Sequence, residues 1–300
     1  MESKWIFVII LIIFLGIISF VIAGIISFFF SSEISLGGNT ALIPIKGEIT
    51  SESQGLFTQT LASSDVVEMI EKADKDMNIK AILFEINSPG GTAVASEEIV
   101  NAVKKSKKYK VAWIRDQGAS GAYWIASAAD KIVASPLSIT GSIGVLGSYL
   151  EFSGLLTRYN ITYERMVGGK YKDLGTPYRE LTDEERILFQ RSIDELHDYF
   201  MQDVAKNRDI PENKIREIAT GMFYTGKQAK ELNLVDVLGG KEEAVELIEQ
   251  EIGNVDLVEY QKEKGFFSSL YGMFSDISYR IGQGIGSVFL DKESEVVIRT

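Results

Sequence analysis

Three stretches of this chain hold side chains that could do covalent or acid–base chemistry. In the run from Asp116 to Asp130, Ser120 follows the apolar Val111-Ala112-Trp113-Ile114 and precedes a segment rich in Ala and aromatic residues. The first part reads as a buried strand and the second as a helix. A serine at such a turn is held out over the sheet edge, with the N–H groups of Gly121 and Ala122 on the same side. That is the geometry of a nucleophile elbow, with Ala122 in place of the second glycine of Gly-x-Ser-x-Gly. The plainer role for Ser120 is a helix cap.

Asn87-Ser88-Pro89-Gly90-Gly91 closes an earlier strand. Pro89 fixes one torsion, and two glycines permit positive φ and close backbone approach. Such a turn can aim an N–H at a developing oxyanion, or simply join a strand to a helix. The third stretch, Tyr163 to Gly175, contains Lys170, Lys172 and Asp173. A lysine of ordinary pKa, ~10.4, is protonated near neutrality, so these residues read as surface lysines unless an apolar setting favours the neutral amine. Met166, Val167, Tyr171 and Leu174 could supply one, whereas Asp173 opposes it unless it points away. In an extended segment Lys170 and Lys172 share a face, so geometry alone does not choose between them.

The remaining chemistry is bounded by what is scarce. There is no cysteine, which excludes disulfides and thiolate metal sites. No metal-ligand spacing is found, and activity is expected without a cofactor or metal. The single histidine, His197, falls in a helical pattern with Ile193, Leu196, Phe200 and Val204. That helix begins at Thr182, with acidic residues in its first turn, and His197 reads as a packing residue. A net charge of −11 argues against nucleic acid as a partner. The lysines between 104 and 110 read as a solvated helix end.

The elements that must hold these residues alternate. Strands are expected at Ala41–Ile45, Ala81–Ile86, Val111–Ile114 and Lys131–Ala134. Helices are expected at Asp65–Asp74, capped by Asp65, and at about Val94–Lys105. Glu212–Val237 reads as mostly helical with a break at Thr225-Gly226, and Lys241–Glu251 as a further helix. Ser51–Ser64 reads as a loop. The alternation predicts an α/β fold with a parallel or mixed sheet covered by helices.

Both ends of the chain point to a membrane. Trp5 to Phe30 carries no charged residue, and at about 1.5 Å per residue it is long enough to cross a ~30 Å hydrocarbon core. A cleaved signal peptide ending near Ala23 is the alternative, but the apolar run continues past that point. With Lys4 before it and no Lys or Arg until Lys46, the N-terminus is expected in the cytoplasm and the remainder outside. The division expected is an anchor over 1–30, a tether over 31–40, a catalytic domain over 41–260 and a Phe-rich amphipathic segment over 261–300. That last segment would lie on a membrane or pack on a neighbouring subunit.

Five blocks in order carry a resemblance. They are Asn87–Gly91, Ala119–Tyr123, Thr140-Gly141-Ser142-Ile143-Gly144-Val145, Gly169–Asp173, and Thr225–Ala229 through Asp236. Together they resemble the signal peptide peptidase A family of membrane-bound serine proteases, peptidase family S49. The resemblance implies the crotonase-like sheet architecture shared with the caseinolytic protease, with helical additions. It implies a Ser/Lys dyad of Ser120 as nucleophile and Lys172 as general base, with Ser142 orienting the lysine. It implies oxyanion donors at Gly121 and at Gly90 or Gly91. It further implies a homo-oligomer with sites completed between subunits, and cleavage of residual signal peptides and other unfolded apolar peptides. Competing readings are a related membrane protease acting beside stomatin-like proteins, a crotonase-type acyl-CoA enzyme, and a non-catalytic membrane scaffold with Ser120 as a cap.

Overall fold

Strands that are apolar on both faces need cover on both sides, and the middle of this chain supplies it. In the computed structural model, which describes residues 2–30, 37–52 and 60–261, Gly37–Gln261 forms one unit built on a mostly parallel sheet. After helix α1 (Glu2–Phe30) come β1 (Thr40–Lys46), β2 (Glu48–Thr50), β3 (Thr60–Ala62), α2 (Ser63–Lys75), β4 (Ala81–Ser88) and α3 (Ala93–Lys105). The central segment holds β5 (Tyr109–Ala119), α4 (Gly121–Ser127), β6 (Lys131–Ala134), β7 (Ile139–Gly141) and α5 (Ser153–Arg158). Then follow α6 (Asp183–Arg208), α7 (Glu212–Ile218), β8 (Phe223–Thr225), α8 (Gly226–Glu231), β9 (Val237–Leu238), α9 (Lys241–Ile252) and β10 (Leu257–Glu259).

The strand order is β10-β1-β4-β5-β6-β9, with β7 paired to the end of β5 and β8 paired to β7. Only the β7–β8 pair in this sheet is antiparallel. Alternation along each strand separates two cores. Ile43 and Ile45 of β1, Ile82 and Phe84 of β4, and Ala112 and Ile114 of β5 pack with α2, α3, α4 and α6. Leu42, Leu83, Val111 and Val133 face the other way, against Ala244 and Ile248 of α9.

Four expectations are corrected. Glu212–Val237 is only partly helical, because Phe223–Thr225 pairs with β7 and Thr225 then caps α8 through a reciprocal bond with Gln228. Asp65 lies in the first turn of α2, whose N-cap is Ala62. The loop from Ser51 ends early: Thr60–Ala62 is a strand parallel to β2, and 53–59 lie outside the described residues. The lysines before β5 are not all solvated. Lys110 is buried and donates to the carbonyls of Ser106 and Lys108, while Lys108 donates to those of Asp76 and Ile79.

The segment over 262–300 lies outside the described residues, as does most of the tether. Helix α1 is continuous over 29 residues, and a number of its side chains lie outside the described set. The described residues alone contain no helix long and apolar enough to cross a membrane. A spanning role for α1 therefore rests on its sequence.

Candidate active site

Two neighbouring parallel strands end side by side, and the candidate residues sit on those ends. The β4–β5 ladder runs regularly to Ile86↔Ile114, then shifts so that Ser88 faces Gly118. On the other flank of β5, Ala119 pairs with Gly141 of β7. Ser120, the next residue, has φ 53° and ψ −126°. Its N–H donates to the carbonyl of Gly141 at 2.8 Å, and its carbonyl accepts from Trp124 N–H at 3.0 Å. A left-handed φ at a non-glycine residue costs on the order of 1–3 kcal/mol and persists only when the surroundings impose it. Here α4 imposes it. Tyr123 is buried and donates its hydroxyl to the carbonyl of Leu234 at 2.9 Å. Trp124 stacks on Phe200 at 4.8 Å, and its indole N–H donates to Asp203 at 2.7 Å. Ser120 occupies the N-cap position of α4, but its side chain makes no capping bond.

The turn after β4 packs directly on this elbow. Gly90 has φ +101°, and a Cβ there would lie 2.8 Å from the amide nitrogen of Gly121 and 2.9 Å from Ser120 Cβ. Its N–H donates to Ser88 Oγ at 3.1 Å, and its carbonyl accepts from Ile49 N–H at 2.9 Å. The N–H groups of Gly91 and Gly121 have no hydrogen-bond partner among the described residues. They are close together, since a Cβ on Gly121 would lie 3.5 Å from the Gly91 nitrogen.

Gly91 has no room for a side chain: a Cβ there would meet the carbonyl oxygen of Ile49 at 1.8 Å. That oxygen is fixed by the N–H of Thr92 at 2.9 Å. Gly91→Ala must therefore push β2 away, and a loss of about 1–3 kcal/mol in unfolding free energy is expected. Chemical denaturation of the two proteins measures it, and equal midpoints would contradict the close approach.

A cavity of about 870 Å³ opens over the elbow, lined by Ser120, Gly91, Gly121 and Ser142 together with apolar residues of α4, α6 and the stretch after β7. Ser142 also has a left-handed φ, 51°. Its N–H donates to the carbonyl of Met222 at 3.0 Å and its hydroxyl to that of Gly221 at 3.1 Å. His197 lines the same cavity, and its Nε2 is buried without a hydrogen-bond partner among the described residues. Its helical phase with Ile193 and Phe200 suggested packing; what lies opposite that face is invisible to the sequence.

The two lysines differ in their partners. Lys170 pairs with Glu184 at 2.5 Å, and that carboxylate holds it protonated well above the usual lysine range. Lys172 is exposed in a turn whose backbone closes on the carbonyl of Gly169, and it is not among the residues lining the cavity. Met166 is 92% exposed, so the apolar setting expected around Lys172 is not assembled from it within one chain. Asp173 is turned to Arg165, at 2.7 and 2.8 Å, and to Arg179, at 2.9 and 3.0 Å. Those two guanidinium groups hold its carboxyl far below the usual range. Arg179 continues to Glu185, whose carboxyl it helps lower to about 2, and Glu185 closes a capping box with Thr182. Among the described residues there is no cluster of His, Asp or Glu fit to hold a metal ion.

Comparison with known proteins adds to this geometry. Residues 102–254 match the model of peptidase family S49. The chain is 34% identical to a candidate protease of Methanocaldococcus jannaschii, over 97% of this chain and 96% of that protein. It is 34% identical to a candidate signal peptide peptidase, SppA, of Enterococcus faecium, over 74% of this chain and 67% of that protein. The chloroplast serine protease SPPA of Arabidopsis thaliana is 32% identical over 72% of this chain, which spans 32% of that longer protein.

Proposed function

The chain belongs to peptidase family S49, and on that footing we propose that it is a serine endopeptidase whose nucleophile is Ser120. The observation that carries the proposal is the strained Ser120 beside two unengaged amide N–H groups, those of Gly91 and Gly121, in one cavity. Gly90 is the weaker donor, because Ser88 already holds its N–H.

In this reading Ser120 Oγ attacks the scissile carbonyl carbon as its proton passes to the neutral Nζ of Lys172. The carbonyl oxygen becomes an oxyanion between the two N–H groups, which stabilise charge that the ground state lacks. The C–N bond then breaks, the Lys172 ammonium gives its proton to the departing amine, and an acyl-enzyme remains. Water, deprotonated by Lys172, attacks that ester; the proton returns to Ser120 as the acid leaves. Ser142 orients Lys172 through its hydroxyl. Lys170 is set aside because its partner Glu184 favours the charged form.

Lys172 is supplied by a second copy of the chain. Supporting this, it is exposed outside the cavity of its own Ser120, on a stretch that also exposes Leu146, Leu150, Leu155 and Ile161. The sheet architecture is crotonase-like, and α1 anchors the protein with its catalytic unit outside the cytoplasm. Unfolded apolar peptides at the membrane, residual signal peptides among them, are the substrates. A fluorophosphonate probe tests the nucleophile: it should label native protein at Ser120, mapped by peptide mass. Labelling at another serine, or none, would sink the assignment.

A further inference from the structure

The cavity over Ser120 has walls of two characters. Val145, Leu146, Ile193 and Phe200 form an apolar wall. Apart from His197 and Tyr199, the ionisable side chains lining it are Glu48, Glu97 and Asp194, and no Lys or Arg is among them. Several half-buried carboxylates elsewhere among the described residues have basic partners. Glu85 pairs with Lys46 and Arg115, Asp173 with Arg165 and Arg179, Asp236 with Arg208, and Asp203 with Lys104. In the cavity Glu97 accepts only from the Tyr199 hydroxyl, at 2.6 Å, and Asp194 from the Gln190 amide, at 2.8 Å. None of the three cavity carboxylates has a basic partner among the described residues. Within one chain their charge meets no basic side chain, and a cleft focuses such a field on whatever enters.

His197 also lines the cavity, and its Nε2 is buried with no hydrogen-bond partner among the described residues, a state comparable in cost to a lost hydrogen bond.

We infer that the cavity selects cationic peptides, placing a Lys or Arg side chain against Glu97 and Asp194 while a neighbouring apolar side chain packs on the Val145–Phe200 wall. This deepens the serine peptidase reading and rests on it for cleavage, though not for binding. A mixed apolar and basic sequence fits such a cavity better than a purely apolar one.

The test uses the full chain in detergent and two otherwise identical apolar peptides that carry Lys or Glu beside the central apolar residue. Exposed charge pairs are individually weak, so three acting together lead to an expected kcat/KM about tenfold higher for the Lys peptide. The ratio should shrink towards one at about 1 M salt, where the screening length is ~3 Å. It should likewise fall to about twofold in a Glu97→Gln, Asp194→Asn protein. Asp194→Asn alone, on the exposed face of α6, should give an intermediate ratio if the double variant does not fold. Equal rates for the two peptides, or a ratio indifferent to salt, would overturn the inference. Binding of both peptides to Ser120→Ala protein, followed by fluorescence anisotropy, separates it from the peptidase reading. Tighter binding of the Lys peptide without cleavage by native protein would sink the peptidase reading and leave this inference standing. Ser120→Ala protein that binds neither peptide, or both equally, would sink this one.

Discussion

Ser120→Ala protein is expected to cleave peptides on the order of 10⁴- to 10⁶-fold more slowly than the native chain. The loss is large because the hydroxyl is the atom that forms the covalent intermediate; only the oxyanion donors and binding remain to favour direct attack by water. The fold should be kept. Alanine removes one oxygen that makes no capping bond, and α4 stays fastened through Tyr123 and Trp124. The same variant reports on the source of the lysine. If Lys172 comes from a second copy, mixing Ser120→Ala chains with Lys172→Ala chains restores part of the activity. In such an oligomer one interface joins an intact Ser120 to an intact Lys172. Mixed oligomers, verified by mass, that stay inactive would place both residues in one chain. Ser120→Ala protein retaining a tenth of native activity would dismiss Ser120 altogether.

The second large effect separates the two lysines. Lys172→Arg should lower kcat/KM by at least about 10²- to 10⁴-fold, the usual contribution of a general base. Arginine keeps the charge and much of the length of lysine but essentially never gives up its proton, so it cannot accept one from a serine. Lys170→Arg should stay within about threefold of native, because an Arg–Glu184 pair replaces a Lys–Glu184 pair of ordinary exposed strength. The measurement is kcat/KM on one peptide, with circular dichroism and size-exclusion profiles matched to native protein. An active Lys172→Arg chain, or a folded and inactive Lys170→Arg chain, would mean that the wrong lysine has been named.

Much of the sheet was legible from apolar runs alone. Lys131–Ala134 is the strand the sequence indicates, and Ala81, Val111 and Lys241 all fall within expected elements. Those runs are long or strongly patterned, so local preference and burial agree. The β7–β8 pair was hidden. Three residues such as Ile139–Gly141 carry too little pattern, and their pairing with Phe223–Thr225 is set by chain far away in sequence. The strand-to-helix turn at Ser120 was readable from Gly and Ala spacing. That the Gly90 N–H is engaged by the Ser88 hydroxyl was not, because no spacing rule reveals it. His197 shows the same limit in a helix: phase gives the face a residue occupies, not whether a cavity lies across from it. The surroundings of Lys172 are the deepest case. A residue expected to need apolar company is exposed in a single chain, and no local pattern over 163–175 announces that exposure.

The backbone at Ser120 has a bearing on how this protein can change over generations. Its φ of 53° is one that glycine adopts freely and β-branched residues resist. Drift towards stability at this position thus runs towards glycine, and under the proposed mechanism the need for a hydroxyl is what opposes it. Threonine, the other residue with a hydroxyl on Cβ, is barred by the same torsion. A lineage that lost its need to cut peptides would be expected to relax to glycine here early, gaining stability as it fell silent. A serine at so uncomfortable a torsion is what a chemical role at this position would leave inscribed in the main chain.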